Sequence, residues 1–260
     1  MTHTDYDNLT LKIPVESSDY IECSDFVVIS IEEIIKTAMD MGQNKIIINT
    51  NLRRGIPMEN VNKIAGPFVE AWACERFSDV LEDNTNKYKL VNVEAGERLN
   101  MADVILQFKM IRKHQTSVTA NVDVKATSQD IANSGKSPNI TSFARIRTAY
   151  LKDPDYLFII LSIKHRVYSK KDDSTMMMMG VMEIVDFNAY DLKFLSSQDV
   201  SYNPALGSGQ LQVRDIHYIS RENKTTWDFC RMLDRKCIAS RTGYEGWLRY
   251  AKQFEWIKDE

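Results

Sequence analysis

The stretch NVDVKATS, residues 121–128, reads as a β-strand with two unlike faces. Side chains alternate along an extended chain, so Asp123, Lys125 and Thr127 point one way and Val122, Val124 and Ala126 the other. One face is apolar, whereas the other sets a carboxylate beside an ammonium. Burying that second face would desolvate both charges, and a buried ion pair often fails to offset its own desolvation. The face needs either exposure to solvent or a purpose.

Outward from this strand, ADVILQFKMI (102–111) reads as the strand before it, with Asp103 near its start. Two antiparallel strands joined by a turn can set residues about twenty apart side by side, which would bring Asp103 next to Asp123 and Lys125. Two converging carboxylates repel, and a divalent cation resolves the repulsion. Hard oxygen ligands favour Mg²⁺. Lys125 could then orient an attacking water or help remove its proton. The competing reading is a surface strand carrying a cross-strand ion pair.

The surrounding pattern is that of an α/β chain. ISIEEIIKTAMDMG (29–42) predicts a helix closed by Gly42, and KIIINT (45–50) a short strand. In residues 57–82, Val61, Ile64, Phe68, Trp72 and Leu81 recur at roughly helical spacing, and Gly66-Pro67 should kink or restart the helix. KLVNVE (89–94) and SVTANVDVKAT (117–127) are further strands. SQDIANSGKSPN (128–139) is a polar surface loop; Ser137-Pro138 has the form of a cap opening a helix over 139–153. YLFIILSI (156–163) is expected to be a central strand, joined to residues 117–127 by a right-handed parallel crossover. Residues 175–187 and 209–219 read as strands, and 225–237 and 244–257 as terminal helices. With no repeat or linker, the 260 residues are expected to form a single domain.

Composition narrows the function classes. No apolar run reaches the roughly 20 residues a membrane helix needs, and the N-terminus has no signal-peptide pattern, which places the protein in the cytoplasm. Cys23, Cys74, Cys230 and Cys237 are scattered and read as buried, inert thiols. The net charge is −3, yet residues 101–171 carry 12 basic and 5 acidic residues, a local +7. A basic island of this kind can face a polyanion. No phosphate-binding loop, G-x-S-x-G or H-E-x-x-H occurs, and His3, His114, His165 and His217 are too far apart for a local metal motif. GSGQ (207–210) reads as a turn.

Asp103 followed by D-V-K at 123–125 resembles the PD-(D/E)xK nuclease signature, with Ala102 where that signature has its proline. The continuation ATSQDIANSGKSPNITSFARIRTAYLKD is more specific and resembles the HpaI family of type II restriction endonucleases. INTNLRRGIP (48–57), NKIAGPFVEAWA (62–73), VILQFK (104–109), LSIKH (161–165) and SYNPALGSGQLQVRDIHYIS (201–220) carry the same resemblance. HincII, more distantly similar, shares the D-V-K, the P-N-I and a V-R-D.

The resemblance implies a restriction-endonuclease-like α/β fold with a central mixed sheet flanked by helices. It also implies a homodimer that cuts double-stranded DNA with Mg²⁺, at GTTAAC for this type, to leave blunt ends. Asp103 and Asp123 would hold the metal, the Val124 carbonyl would add a ligand, and Lys125 would position the water. Glu70 is the candidate accessory acid from an early helix. Asn139 is the leading candidate for base contact, because an amide both donates and accepts at a base edge. Asn203, Gln210 and Gln212 follow it, with Ser137 beside them in the loop, and Lys136, Arg145 and Arg147 are candidates for phosphate contact. A nonspecific or structure-specific repair nuclease, or a DNA-binding protein that has lost cleavage, would fit the same fold.

Overall fold

The computed structural model describes residues 4–83, 85–97, 100–110, 117–205, 207 and 209–258; His3, Ile111 and His114 lie outside them. Contacts group the chain into two compact units, one comprising residues 23–135 and 158–190, the other residues 1–22, 136–157 and 191–260.

The first unit carries a six-stranded sheet, built by β1 (Lys45–Ile48), β2 (Leu90–Ala95), β3 (Val104–Lys109), β4 (Ser117–Ser128), β6 (Leu157–Lys171) and β7 (Met178–Asp191) in the order β1-β7-β6-β4-β3-β2. β1 with β7, β2 with β3 and β3 with β4 pair antiparallel. Between β4 and β6 the numbers rise together: the Thr127 hydroxyl donates to the Ile163 carbonyl, and the Gln129 amide to that of His165. The sheet is therefore mixed, as expected, and β6 lies inside it with residues 157–163 buried throughout.

Three helices complete this unit. In α2 (Tyr20–Asp40), Cys23, Val27, Ile31, Ile34, Ile35 and Ala38 form one buried stripe, and Phe26 meets Phe108 of β3 edge to face with centroids 5.8 Å apart. This helix begins nine residues before the expected start at residue 29. α3 (Met58–Lys63) stops at Ile64 and α4 (Ala65–Glu82) restarts there, with Pro67 in its first turn, where a missing N–H costs nothing. The restart turns the apolar stripe. Val61 and Trp72 are buried as expected, but Ile64, Phe68 and Leu81 are exposed, and Val69, Ala73 and Phe77 take their places.

In the second unit, β5 (Asn139–Ser142), β8 (Val200–Asn203) and β9 (Gln210–Val213) form an antiparallel sheet ordered β5-β9-β8. It is accompanied by α1 (Thr4–Asp7), α5 (Phe143–Lys152), α6 (Thr226–Ala239), α7 (Gly243–Gln253) and a 3₁₀ turn at Leu192–Phe194. The helix expected from residue 139 starts at Phe143 instead. Residues 139–142 pair with β9, and Ser137, at φ +49° with its amide bonded to the Arg214 carbonyl, does not cap a helix. Tertiary strand pairing overrides the Ser-Pro signal. In GSGQ, Gly207 and Gly209 both have positive φ, as expected of a turn, while Gln210 already opens β9; a side chain at Gly209 would overlap the Tyr202 ring. The strand expected over 209–219 ends at Val213.

The core of this unit holds a polar network. Arg147, fully buried, donates from Nε to Asp234 Oδ1 at 3.2 Å and lies over the Trp256 ring at 5.0 Å. Asp234 also accepts from the Tyr6 hydroxyl and the Trp247 indole, each at 3.0 Å. Three kinds of donor converge on one carboxylate, which satisfies a charge that water cannot reach. Arg147 is thus no phosphate contact. All four cysteines are free; Cys23, Cys230 and Cys237 are buried as expected, while Cys74 is partly exposed. No described helix is long and apolar enough to cross a membrane.

Breaking this pair from one side should leave an uncompensated buried charge. Arg147→Met is expected to cost about 3–5 kcal/mol of stability, whereas Arg147→Met combined with Asp234→Leu should cost less than Arg147→Met alone. Denaturant unfolding of the three proteins checks this, and equal losses in the single and double variants would contradict it.

Candidate functional site

The charged face of β4 is defined by where its ladder with β3 stops. The paired register ends at Val104 opposite Val122, yet β4 continues to Ser128. Asp103, one residue before β3, takes over. Its amide donates to the Val122 carbonyl at 2.9 Å, and its carboxylate Oδ2 accepts from the Val124 amide at 2.8 Å. A side chain has replaced the next rung of backbone. Since a strand residue's N–H and C=O point to the same side, the Val124 carbonyl faces the same edge as the Asp103 carboxylate.

The approach of Asp103 depends on Gly96. The Gly96 amide donates to the Asp103 carbonyl at 2.7 Å, and a Cβ at Gly96 would overlap the Ala102 carbonyl. Only glycine allows the β2–β3 turn to close this tightly. Sequence reading missed Gly96; a glycine between two predicted strands, shortly before an acidic residue, was the available signal.

Asp123 lies on the adjoining face, 3% exposed, with Oδ1 accepting from Lys125 Nζ at 2.6 Å. Its other oxygen, Oδ2, is buried without a hydrogen-bond partner among the described residues. The Asp123 carboxyl is raised from 3.8 to about 7: burial is the largest cause, Lys125 opposes it, and Asp103 and Glu70 add to it. Glu70 reaches the same cluster from α4, next to the buried Val69 and Trp72. Burial and then the Asp103 charge raise its carboxyl, against the pull of Lys125. The expected catalytic residues and the accessory acid are thus brought together.

This arrangement suits a hard divalent cation. A buried carboxylate oxygen without a donor, a second carboxylate and a carbonyl on one edge form an oxygen-only donor set. No group of three His, Cys, Asp or Glu among the described residues closes a metal cage by itself. An oxygen-only edge with two carboxylates is a donor set that Mg²⁺ accepts, since it keeps several waters and takes one or two carboxylates.

The other candidates gather on the small sheet. Along β9, Leu211 and Val213 are buried while Gln210 and Gln212 face outward. The register sets Gln212 opposite Asn139 on one side and Ser201 on the other, and Gln210 opposite Ser142 and Asn203. Gln212 Nε2 donates to Asn139 Oδ1 at 3.0 Å. Asn203 Oδ1 instead accepts from the Ala205 amide and shapes the turn. Lys136 is ion-paired with Asp215, a partner not anticipated from sequence, and bridges to it through the backbone as well. Arg145 is exposed on α5.

The sequence profile of the family described as Type II restriction endonuclease HpaI matches residues 7–255. The Type II restriction enzyme HpaI of Haemophilus parainfluenzae is 54% identical over 255 residues, which cover 98% of this chain and 99% of that enzyme. Full-length coverage at this identity, with the acidic edge in place, leads to one assignment: the chain belongs to the HpaI family of type II restriction endonucleases.

Proposed function

We propose that this restriction endonuclease is a cytoplasmic, Mg²⁺-dependent homodimer that cuts double-stranded DNA at the centre of GTTAAC, leaving blunt ends with 5′-phosphates. All 260 residues act as one endonuclease domain. The carrying observation is the partnerless buried oxygen of Asp123 beside Asp103, Lys125 and Glu70. The sequence of the site and the blunt cut rest on the family resemblance, and the dimer on the two-fold symmetry of a palindrome.

Asp103 Oδ2, the Asp123 carboxylate and the Val124 carbonyl would hold the ion, with Glu70 as an outer acid. Bound there, Mg²⁺ supplies positive charge to the negative charge that develops on the phosphate. Lys125 Nζ, anchored at 2.6 Å from Asp123 Oδ1, donates to the attacking water and fixes its approach. Asp103 has a second duty, since its bond to the Val124 amide holds the edge in shape. On the small sheet Asn139 reads a base edge, with Gln210 and Asn203 as further contacts and Gln212 bonded to Asn139. Arg145, Lys136 and the Ser137 segment lie along the phosphates, Lys136 after leaving Asp215.

Digestion of plasmid DNA separates cutting from binding. Asp123→Ala is expected to abolish cleavage while retaining cognate binding, and Lys125→Ala to slow single-turnover cleavage by ~10² to 10⁴ with DNA affinity nearly unchanged. Full activity in folded Lys125→Ala protein would leave this face as an ordinary ion pair.

The raised carboxyl of Asp123 fixes a sign. Because the folded protein holds this proton more tightly than the unfolded chain, the stability tied to it is full below 3.8 and lost as pH rises toward about 7. Without metal, the melting temperature of the wild type relative to Asp123→Asn should fall from pH 5 to 7 and then level off. Mg²⁺ should raise the wild type alone, and a difference that does not change with pH would contradict the shift.

Sedimentation is expected to give about twice 30.0 kDa. A monomer on cognate DNA would remove the dimer.

A further inference from the structure

We infer that Gln212 is a positioning residue for sequence readout: by donating to Asn139 Oδ1 it fixes which way the Asn139 amide faces the base. The inference rests on Asn139 reading a base, as proposed above.

An asparagine amide offers a donor and an acceptor of nearly equal size, so a free side chain can present either order to a base edge. Order is what distinguishes bases in the major groove: adenine shows an acceptor and a donor that one amide meets bidentately only when correctly turned. Backbone cannot choose between the two flips of a side chain at the exposed first residue of β5. Gln212 can. It lies directly across the strand pair from Asn139, and its Nε2 donates at 3.0 Å to Asn139 Oδ1. That bond occupies one lone pair of Oδ1 and leaves the second lone pair and both Nδ2 hydrogens for a partner. The flipped amide would set two NH₂ groups against each other. Register with two strands, Ser201 on its far side and the buried Leu211 and Val213 flanking it keep the Gln212 side chain beside Asn139, and the bond between the two amides couples their orientations. A fixed neighbour thus removes the rotational freedom that binding would otherwise have to freeze out.

Discrimination is measured as the ratio of cleavage rates on GTTAAC and on each singly substituted site, for Asn139→Ala, Gln212→Met, Gln212→Glu and the double variant Asn139→Ala with Gln212→Met. Asn139→Ala is expected to lower discrimination about 5- to 150-fold at one base pair per half-site. Gln212→Met removes the donor without changing length much, and should lower discrimination about 2- to 10-fold at the same base pair. In the Asn139→Ala background Gln212→Met should have no further effect. Gln212→Glu, which can only accept, should turn the Asn139 amide around and shift preference at that pair toward a different base. Melting temperatures report folding separately, and both residues are exposed enough for them to change little. Unchanged discrimination in Asn139→Ala would remove the reading role itself. A normal Gln212→Met, with Asn139→Ala impaired, would overturn the positioning role alone. So would a Gln212→Met effect that persists at full size without Asn139, because Gln212 would then touch the DNA on its own.

Discussion

Everything at the acidic edge follows from one hydrogen bond, that between the Asp103 carboxylate and the Val124 amide. A strand that outruns its neighbour must do something with its backbone groups. Here the neighbour's last side chain supplies the missing acceptor, and in doing so brings a carboxylate to where the strand's own Asp123 is buried. A water-satisfied amide at Val124 would leave Asp103 free to swing into solvent. The bond ties placement of the Asp103 carboxylate to sheet formation: the edge forms when β3 and β4 pair.

The electrostatics then become a deliberate imbalance. Asp123 is buried, close to two other acids, and matched by a single lysine that satisfies one of its two oxygens. A protein selected for stability alone would neutralise this cluster or replace it with apolar side chains, since buried ion pairs are seldom the more stable option. Arg147 and Asp234 show the opposite solution within the same chain. There donors converge until the carboxylate is saturated, and the pair serves the core. Of these two buried acids, one is saturated by donors and serves the fold, while the other is left a partner short, as its proposed ion-binding role requires.

Much of this was legible in the sequence because it depended on the shortest periodicities. Asp123 and Lys125 share a face by the two-residue repeat of a strand, and Asp103 meets them through the antiparallel pairing of adjacent strands. The buried run at 157–163 announced a central strand by composition alone. Readings failed where a distant partner decided. Ser137-Pro138 has the local chemistry of a helix start, but β9, some seventy residues away, claims Asn139–Ser142 as a strand. Arg147 sits in a basic island, and only tertiary structure reveals Asp234 and Trp256 around it. Ile64 and Phe68 follow helical spacing yet are exposed, because the helix restarts between Val61 and Val69 and turns the stripe.

The two compact units are not consecutive pieces of chain. The polypeptide passes from one to the other four times, at 22–23, 135–136, 157–158 and 190–191. The first unit is complete only once residue 190 has been made, and the second draws on residues 191–260 as well as 1–22 and 136–157, so the second cannot begin as an independent folding nucleus at the ribosome. Long-range closure of this kind slows folding, because chain entropy is lost before the contacts that reward it are made. The same threading limits inheritance. No single contiguous gene segment encodes either unit whole and by itself, so neither can be exchanged intact as a separate module.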